Sequence, residues 1–189
     1  LATLPVSRKL TAPVYRIRKR LGISENARVV LITTGGINQG YDFLKELKKF
    51  PDVHFILPGA GPEMEIRGNC VILPHRSDFY HPDVVYASDA VVGIVVYSTL
   101  AVVYHAGVPF GYVTRSNFRE SEPLAAFIQR EMQGVYLKES DFSSGKWTDR
   151  LQDLLNLNRV QRRLPNGAEP IGRFIRDRIL RNPKEKVPA

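Results

Sequence analysis

Short runs of consecutive β-branched and apolar residues alternate along this chain with stretches whose apolar positions return every three or four residues. The first kind, lacking polar alternation, suits a strand covered on both faces. The second marks the buried stripe of a helix. Six strands are predicted, over residues 29–33, 53–57, 70–73, 90–96, 110–113 and 135–137. Helices are predicted over 14–21, 41–50, 79–88, 100–106, 122–132, 147–155 and 172–180. Gly22 stands where the first helix should end, Pro82 fits a first helical turn, and Gly107-Val108-Pro109 stops a later helix. The run Pro58-Gly59-Ala60-Gly61-Pro62 reads as a turn.

Strands alternating with helices through short connections imply an α/β fold: a doubly wound, six-stranded parallel Rossmann-like sheet with helices on both faces. Such sheets hold ligands beyond the carboxyl ends of their strands, where strand order reverses. The loops after Thr34, Leu73, Val96 and Val113 are therefore expected to line one mouth. The domain is expected to span 14–181, with 1–13 as a linker and 182–189 as a frayed tail. Because the chain opens on Leu1 and its first residues read as a connection between elements, a piece of a longer protein is expected.

Composition narrows the function classes. The 189 residues fit one core, and 43% hydrophobic with 24% charged residues is an ordinary globular balance. A single cysteine, Cys70, allows no internal disulfide and reads as a small buried hydrophobe. With no apolar run near the roughly 20 residues of a membrane span and no signal-peptide pattern, a cytoplasmic location is expected. The net charge of +8 favours an acidic partner. In the basic runs around Arg16 to Arg20, Arg159 to Arg163 and Arg173 to Lys186 aromatics are not interleaved as stacking platforms for bases would be, so the runs read as solvated helix faces and argue against nucleic acid.

Three loops carry candidate chemistry. Thr33-Thr34-Gly35-Gly36-Ile37-Asn38-Gln39-Gly40 leaves a strand and opens a helix, where backbone N–H groups can approach a phosphate without an intervening side chain. It is neither a GxGxxG fingerprint nor a Walker A loop, and a tight turn explains it as well. Tyr97-Ser98-Thr99 opens the next helix, so Ser98 or Thr99 either caps that helix or marks a site for a diphosphate at its positive end. In the third, Arg115 to Glu122, Arg115 or Arg119 can meet phosphate and Glu120 and Glu122 can accept sugar hydroxyls. Alternatively those glutamates occupy a helix's first turn. His75, in the loop after the third strand, is the one histidine placed at the expected mouth; the four histidines show no metal-binding spacing, and no nucleophile elbow appears.

With these residues in place, the chain resembles the C-terminal, donor-binding domain of MurG-type GT-B glycosyltransferases across roughly residues 13–180. A closer likeness is to the glycosyltransferase-like region of L-arabinokinase-type proteins and their bacterial relatives. It is carried by Val96 to Val102, Gly107-Val108-Pro109-Phe110, the Phe-x-Glu-x-Glu-Pro-Leu string ending at Leu124, and Asp141-Phe142 to Gly145-Lys146-Trp147. The resemblance implies a domain that holds the diphosphate and uridine of a UDP sugar through Gly35, Gly36, Asn38, His75, Ser98, Thr99, Arg115, Glu120 and Glu122. It implies glycosyl transfer without a separate cofactor and an N-terminal acceptor domain in the same full-length protein. Those families usually read Gly-x-Gly-Thr-x-x-Glu where this chain has Val96, Ser98, Thr99 and Val102. The ribose-binding glutamate is thus a valine, which leaves open a binding or regulatory module that has lost glycosyl transfer.

Overall fold

A computed structural model describes residues 5–34, 43–162 and 166–180. The chain enters through α1 (Val14–Arg20) and continues into β1 (Arg28–Thr33), α2 (Leu44–Leu47), β2 (Val53–Gly61), β3 (Glu65–Arg67) and β4 (Cys70–Pro74). It goes on through α3 (His81–Ala87), β5 (Ala90–Ile94), α4 (Tyr97–Ala106), β6 (Phe110–Val113), α5 (Ser121–Glu131) and β7 (Gly134–Leu137). After β7 come α6 (Glu139–Ser144), a 3-10 turn (Lys146–Arg150), α7 (Leu151–Leu155), and α8 (Ala168–Phe174) running on into a π-helical turn (Ile175–Leu180).

One sheet orders the strands β3-β4-β2-β1-β5-β6-β7. The six expected strands are all present and mutually parallel. The seventh, β3, is antiparallel and covers the edge of β4. It is three exposed residues long, too short and too polar to carry an apolar pattern. The expected turn at 58–62 is a second correction: β2 continues through Gly61, with a register shift between Pro58 and Gly61 that lets it keep pairing with β4. The third is α6, whose only buried residue is Phe142.

Both sheet faces are covered, which explains the unbroken apolar strands. Val29 and Leu31 of β1 face one layer with Ile17, Leu21, Val84, Val85 and Val103 of the helices. Val30 and Ile32 face the opposite layer with Leu47, Phe142, Trp147 and Leu154. Pro82 does sit in the first turn of α3, and Gly22 and Gly107 follow the ends of α1 and α4. Cys70 is buried, and burial pushes its thiol above the usual range, keeping it protonated.

The basic runs are only partly solvated faces. The Arg18 side chain is buried and donates to the carbonyls of Ala87 (2.9 Å), Glu25 (2.7 Å) and Ala27 (2.8 Å) and to Asp89 (3.1 Å). Arg159 donates to the carbonyls of Tyr86 (3.1 Å) and Ser88 (2.5 Å), and Arg162 to that of Glu131, with its guanidinium 4.0 Å from the Tyr104 ring centre. These arginines satisfy backbone acceptors at element ends.

Segment 5–13 is not helical or extended in the sheet, yet it is pinned to the body. Val6 N–H donates to the Tyr97 hydroxyl (3.2 Å), His105 Nε2 lies 2.6 Å from the Pro5 carbonyl, and Thr11 hydrogen-bonds through its N–H (2.9 Å) and hydroxyl to buried Asp83.

Candidate functional site

The strand order reverses between β1 and β5: the chain steps outward from β1 to β2 and β4, then crosses to β5, β6 and β7. Thr33, at the end of β1, is in register with Gly93 of β5. Because the two strands are parallel neighbours, their carboxyl ends lie side by side at the same edge of the sheet. This is the crevice in which open parallel sheets bind ligands.

Beyond β5 the backbone turns at Val95 and Val96 into α4. The first intrahelical bond is Leu100 N–H to the Val96 carbonyl (3.0 Å), so the amides of Tyr97, Ser98 and Thr99 precede the helical ladder. Val96 holds the N-cap position, and among the described residues no side chain caps the helix. Ser98 and Thr99 are therefore first-turn residues and not caps, a correction that follows from the helix starting at Tyr97, three residues before its apolar stripe. The positive end of a ten-residue helix faces the switch point.

A cavity of about 450 Å³ lies there, lined by Thr33, by Tyr97, Ser98, Thr99 and Val102 of α4, by His81 and Pro82 of α3, and by Val6, Ser7 and Arg8. Two titratable residues of this lining, Arg8 and His81, lie outside the set that sequence pattern singles out. Arg8 brings a cation to the cavity from the entry segment, where nothing in the pattern marks it. His81 begins α3 on the mouth side of the sheet, and a search for titratable groups at helix starts would have found it where a search for metal spacing did not. Burial pushes the His81 imidazole below its ordinary value, so it is neutral near pH 7.

The remaining candidates are distributed. Gly35, Gly36 and Asn38 lie outside the described residues. His75 packs beside Gly59, its Nδ1 atom 3.2 Å from where a β-carbon on Gly59 would stand, and lines neither of the mouth cavities described here. Arg115 and Glu122 line a second cavity of about 860 Å³, between the loop after β6, α5 and β7. Glu120 is the N-cap residue of α5 and Glu122 is in its first turn. Among the described residues, then, Ser98 and Thr99 share one cavity and Arg115 and Glu122 another. No group of three or more His, Cys, Asp or Glu side chains is placed to hold a metal ion among the described residues. No helix among them is long and apolar enough to cross a membrane.

The fold is that of a GT-B glycosyltransferase domain. The chain superimposes on the glycotransferase of kitacinnamycin with a TM-score of 0.57 and 14% identity, covering 92% of this chain and 44% of that one. Against the calicheamicin glycosyltransferase the TM-score is 0.54 at 16% identity, with 94% and 46% covered. The spinosyn forosaminyltransferase gives 0.54 at 16% identity, with 81% and 40% covered. In sequence the domain is similar to the L-arabinokinase of Arabidopsis thaliana, 30% identical over 175 residues, which is 93% of this chain and 17% of that protein. The chain thus spans under half of the three superimposed chains and about a sixth of that relative. No family model matches it.

Proposed function

We propose that this domain is the donor-binding half of a MurG-type glycosyltransferase and holds the diphosphate and uridine of a UDP sugar at the β1/β5 switch point. The observation that carries this reading is the uncapped first turn of α4 opening into a cavity with Arg8 and His81 on its rim. Backbone N–H groups and the helix dipole there stabilise a diphosphate, and they stabilise it more as negative charge develops on the leaving oxygen. The acceptor site and the base that activates the acceptor belong, on this reading, to an N-terminal domain of the longer protein. Isothermal calorimetry with UDP and UDP-glucose tests it: sub-millimolar binding is expected, and no heat at millimolar ligand would overturn it.

The His81 imidazole makes the binding pH-dependent. A diphosphate favours the protonated ring, whereas burial in the ligand-free cavity disfavours it, so binding takes up a proton. UDP affinity is expected to rise roughly three- to tenfold between about pH 7.5 and 5.5, relative to a His81→Asn variant that cancels the ligand's own titration. Stability runs the other way. The unfolded chain takes the proton more readily than the folded one, so the His81 contribution is present above the ordinary histidine range and is lost as pH falls through it.

A second reading, a binding or regulatory module without transfer, is favoured by one residue. Val102, nearly buried, lines the switch-point cavity and can accept no hydrogen bond from a ribose. Val102→Glu is expected to raise UDP affinity about tenfold, as a buried hydroxyl gains a charged acceptor. Unchanged affinity by calorimetry would contradict the docking model that both readings share.

A further inference from the structure

We propose that the outer edge of β3 pairs with the β3 of a second copy of this chain, antiparallel about a two-fold axis through Ile66. Among the described residues no strand lies beyond β3, which is hydrogen-bonded on its β4 side. Alternate residues of an antiparallel pair turn both backbone groups toward the partner strand. The two-residue turn Gly68-Asn69, with Gly68 at a φ of 60°, makes Arg67 and Cys70 such a pair. Glu65 therefore faces β4 as well, and Ile66 presents its N–H and C=O to the open side. Antiparallel addition about Ile66 satisfies both groups, each copy donating to the other.

The side chains fix the partner and its register. Glu65 and Arg67 lie on one face of β3 and pair with each other at 2.7 Å. Charges on a short edge strand ordinarily repel an added strand. In this register, however, Glu65 of each copy stands opposite Arg67 of the other, in the pairs where side chains approach most closely. Centring the axis on Glu65 would oppose two glutamates, and centring it on Arg67 two arginines, so the same charges disfavour the neighbouring registers. On the other face Ile66, 56% exposed, meets its own copy. Met64, also exposed, comes opposite Gly68 of the second copy, where a β-carbon would find no described atom within 4 Å. Residues 64–68 are thus complementary to themselves read backwards, as a two-fold interface requires. The edge lies three strands from β1, so the inference stands apart from the donor reading.

The contact is small, so sedimentation velocity of the whole chain from about 10 µM to about 1 mM protein is expected to show a reversible monomer–dimer equilibrium. Glu65→Arg and Arg67→Glu should each weaken it roughly tenfold or more, because both cross-strand pairs turn repulsive. Both substitutions in one chain should restore it. Mixing the two single variants should give a heterodimer, since two arginines then face two glutamates. Both positions are exposed, and thermal melts check that the variants fold. Ile66→Pro is the variant that leaves the charges alone: it removes the outward N–H and no bond of the β4 ladder, and should leave a monomer. A wild type that stays monomeric throughout the range overturns the proposal. A dimer that survives both single reversals, or whose loss the double reversal does not repair, overturns it too, because either result places the contact elsewhere.

Discussion

Gly93→Ala is expected to destabilise the protein by about 3 kcal/mol or more, at or above the upper end of what overpacking a core costs. A β-carbon on Gly93 would stand 2.0 Å from the Thr33 carbonyl oxygen and 2.8 Å from Thr33 Cγ2. Neither strand can retreat, because β1 is also paired to β2 and β5 to β6, with helices packed on both faces. The substitution must therefore part the sheet at the point where the ligand crevice begins. Urea denaturation measures it, with Gly172→Ala as reference. That position has open space around it and lies in a helix, so the alanine there is expected to be neutral or to stabilise by roughly 0.5–1 kcal/mol. A loss below about 1 kcal/mol at Gly93 would mean that the two central strands are not held at this spacing.

Arg18→Met carries the second large effect, about 3 kcal/mol, and most of it comes from backbone acceptors. The ion pair with Asp89 looks like the obvious contribution, but the Asp89 side chain is 43% exposed, so solvent screens it. Asp89 keeps a hydrogen bond from Val29 N–H (2.8 Å) whether or not the arginine is present. The carbonyls of Glu25, Ala27 and Ala87 lose the donors they have in Arg18, and methionine supplies none. Asp89→Asn separates the two contributions: it should cost about 1 kcal/mol, because an amide oxygen still accepts from Val29. If Asp89→Asn costs as much as Arg18→Met in the same urea experiment, the ion pair and not the carbonyl network holds this corner.

What pattern revealed and what it hid follow from the same physics. Strands buried on both faces, such as Val29 to Thr33 and Ala90 to Ile94, must be apolar throughout, so their existence, parallel arrangement and approximate ends were readable. Strand β3 was not, since Glu65, Ile66 and Arg67 are all exposed and owe their conformation to the free edge of β4. Ser98 and Thr99 were placed at the right edge of the sheet, because that depends only on strand direction. The alternative that one of them caps α4 falls away, because helix starts depend on backbone geometry that periodicity does not report. Arg159 and Arg162 looked like solvent charges; a sequence does not show which distant carbonyls lack donors. The separation of Arg115 from Ser98 into different cavities was hidden for a related reason: adjacent strands promise a shared edge, not a shared pocket.

The central claim is that an anionic nucleotide sits at the junction of β1, β5 and α4. A titration of ¹⁵N-labelled protein with UDP, followed by amide chemical shifts, tests it most directly. Saturable shifts are expected at Thr33, at Tyr97, Ser98 and Thr99, and at His81, with little change at the opposite edge of the sheet. Shifts confined to the basic surface around Lys48, His54 and Arg67, or none at millimolar UDP, would contradict it.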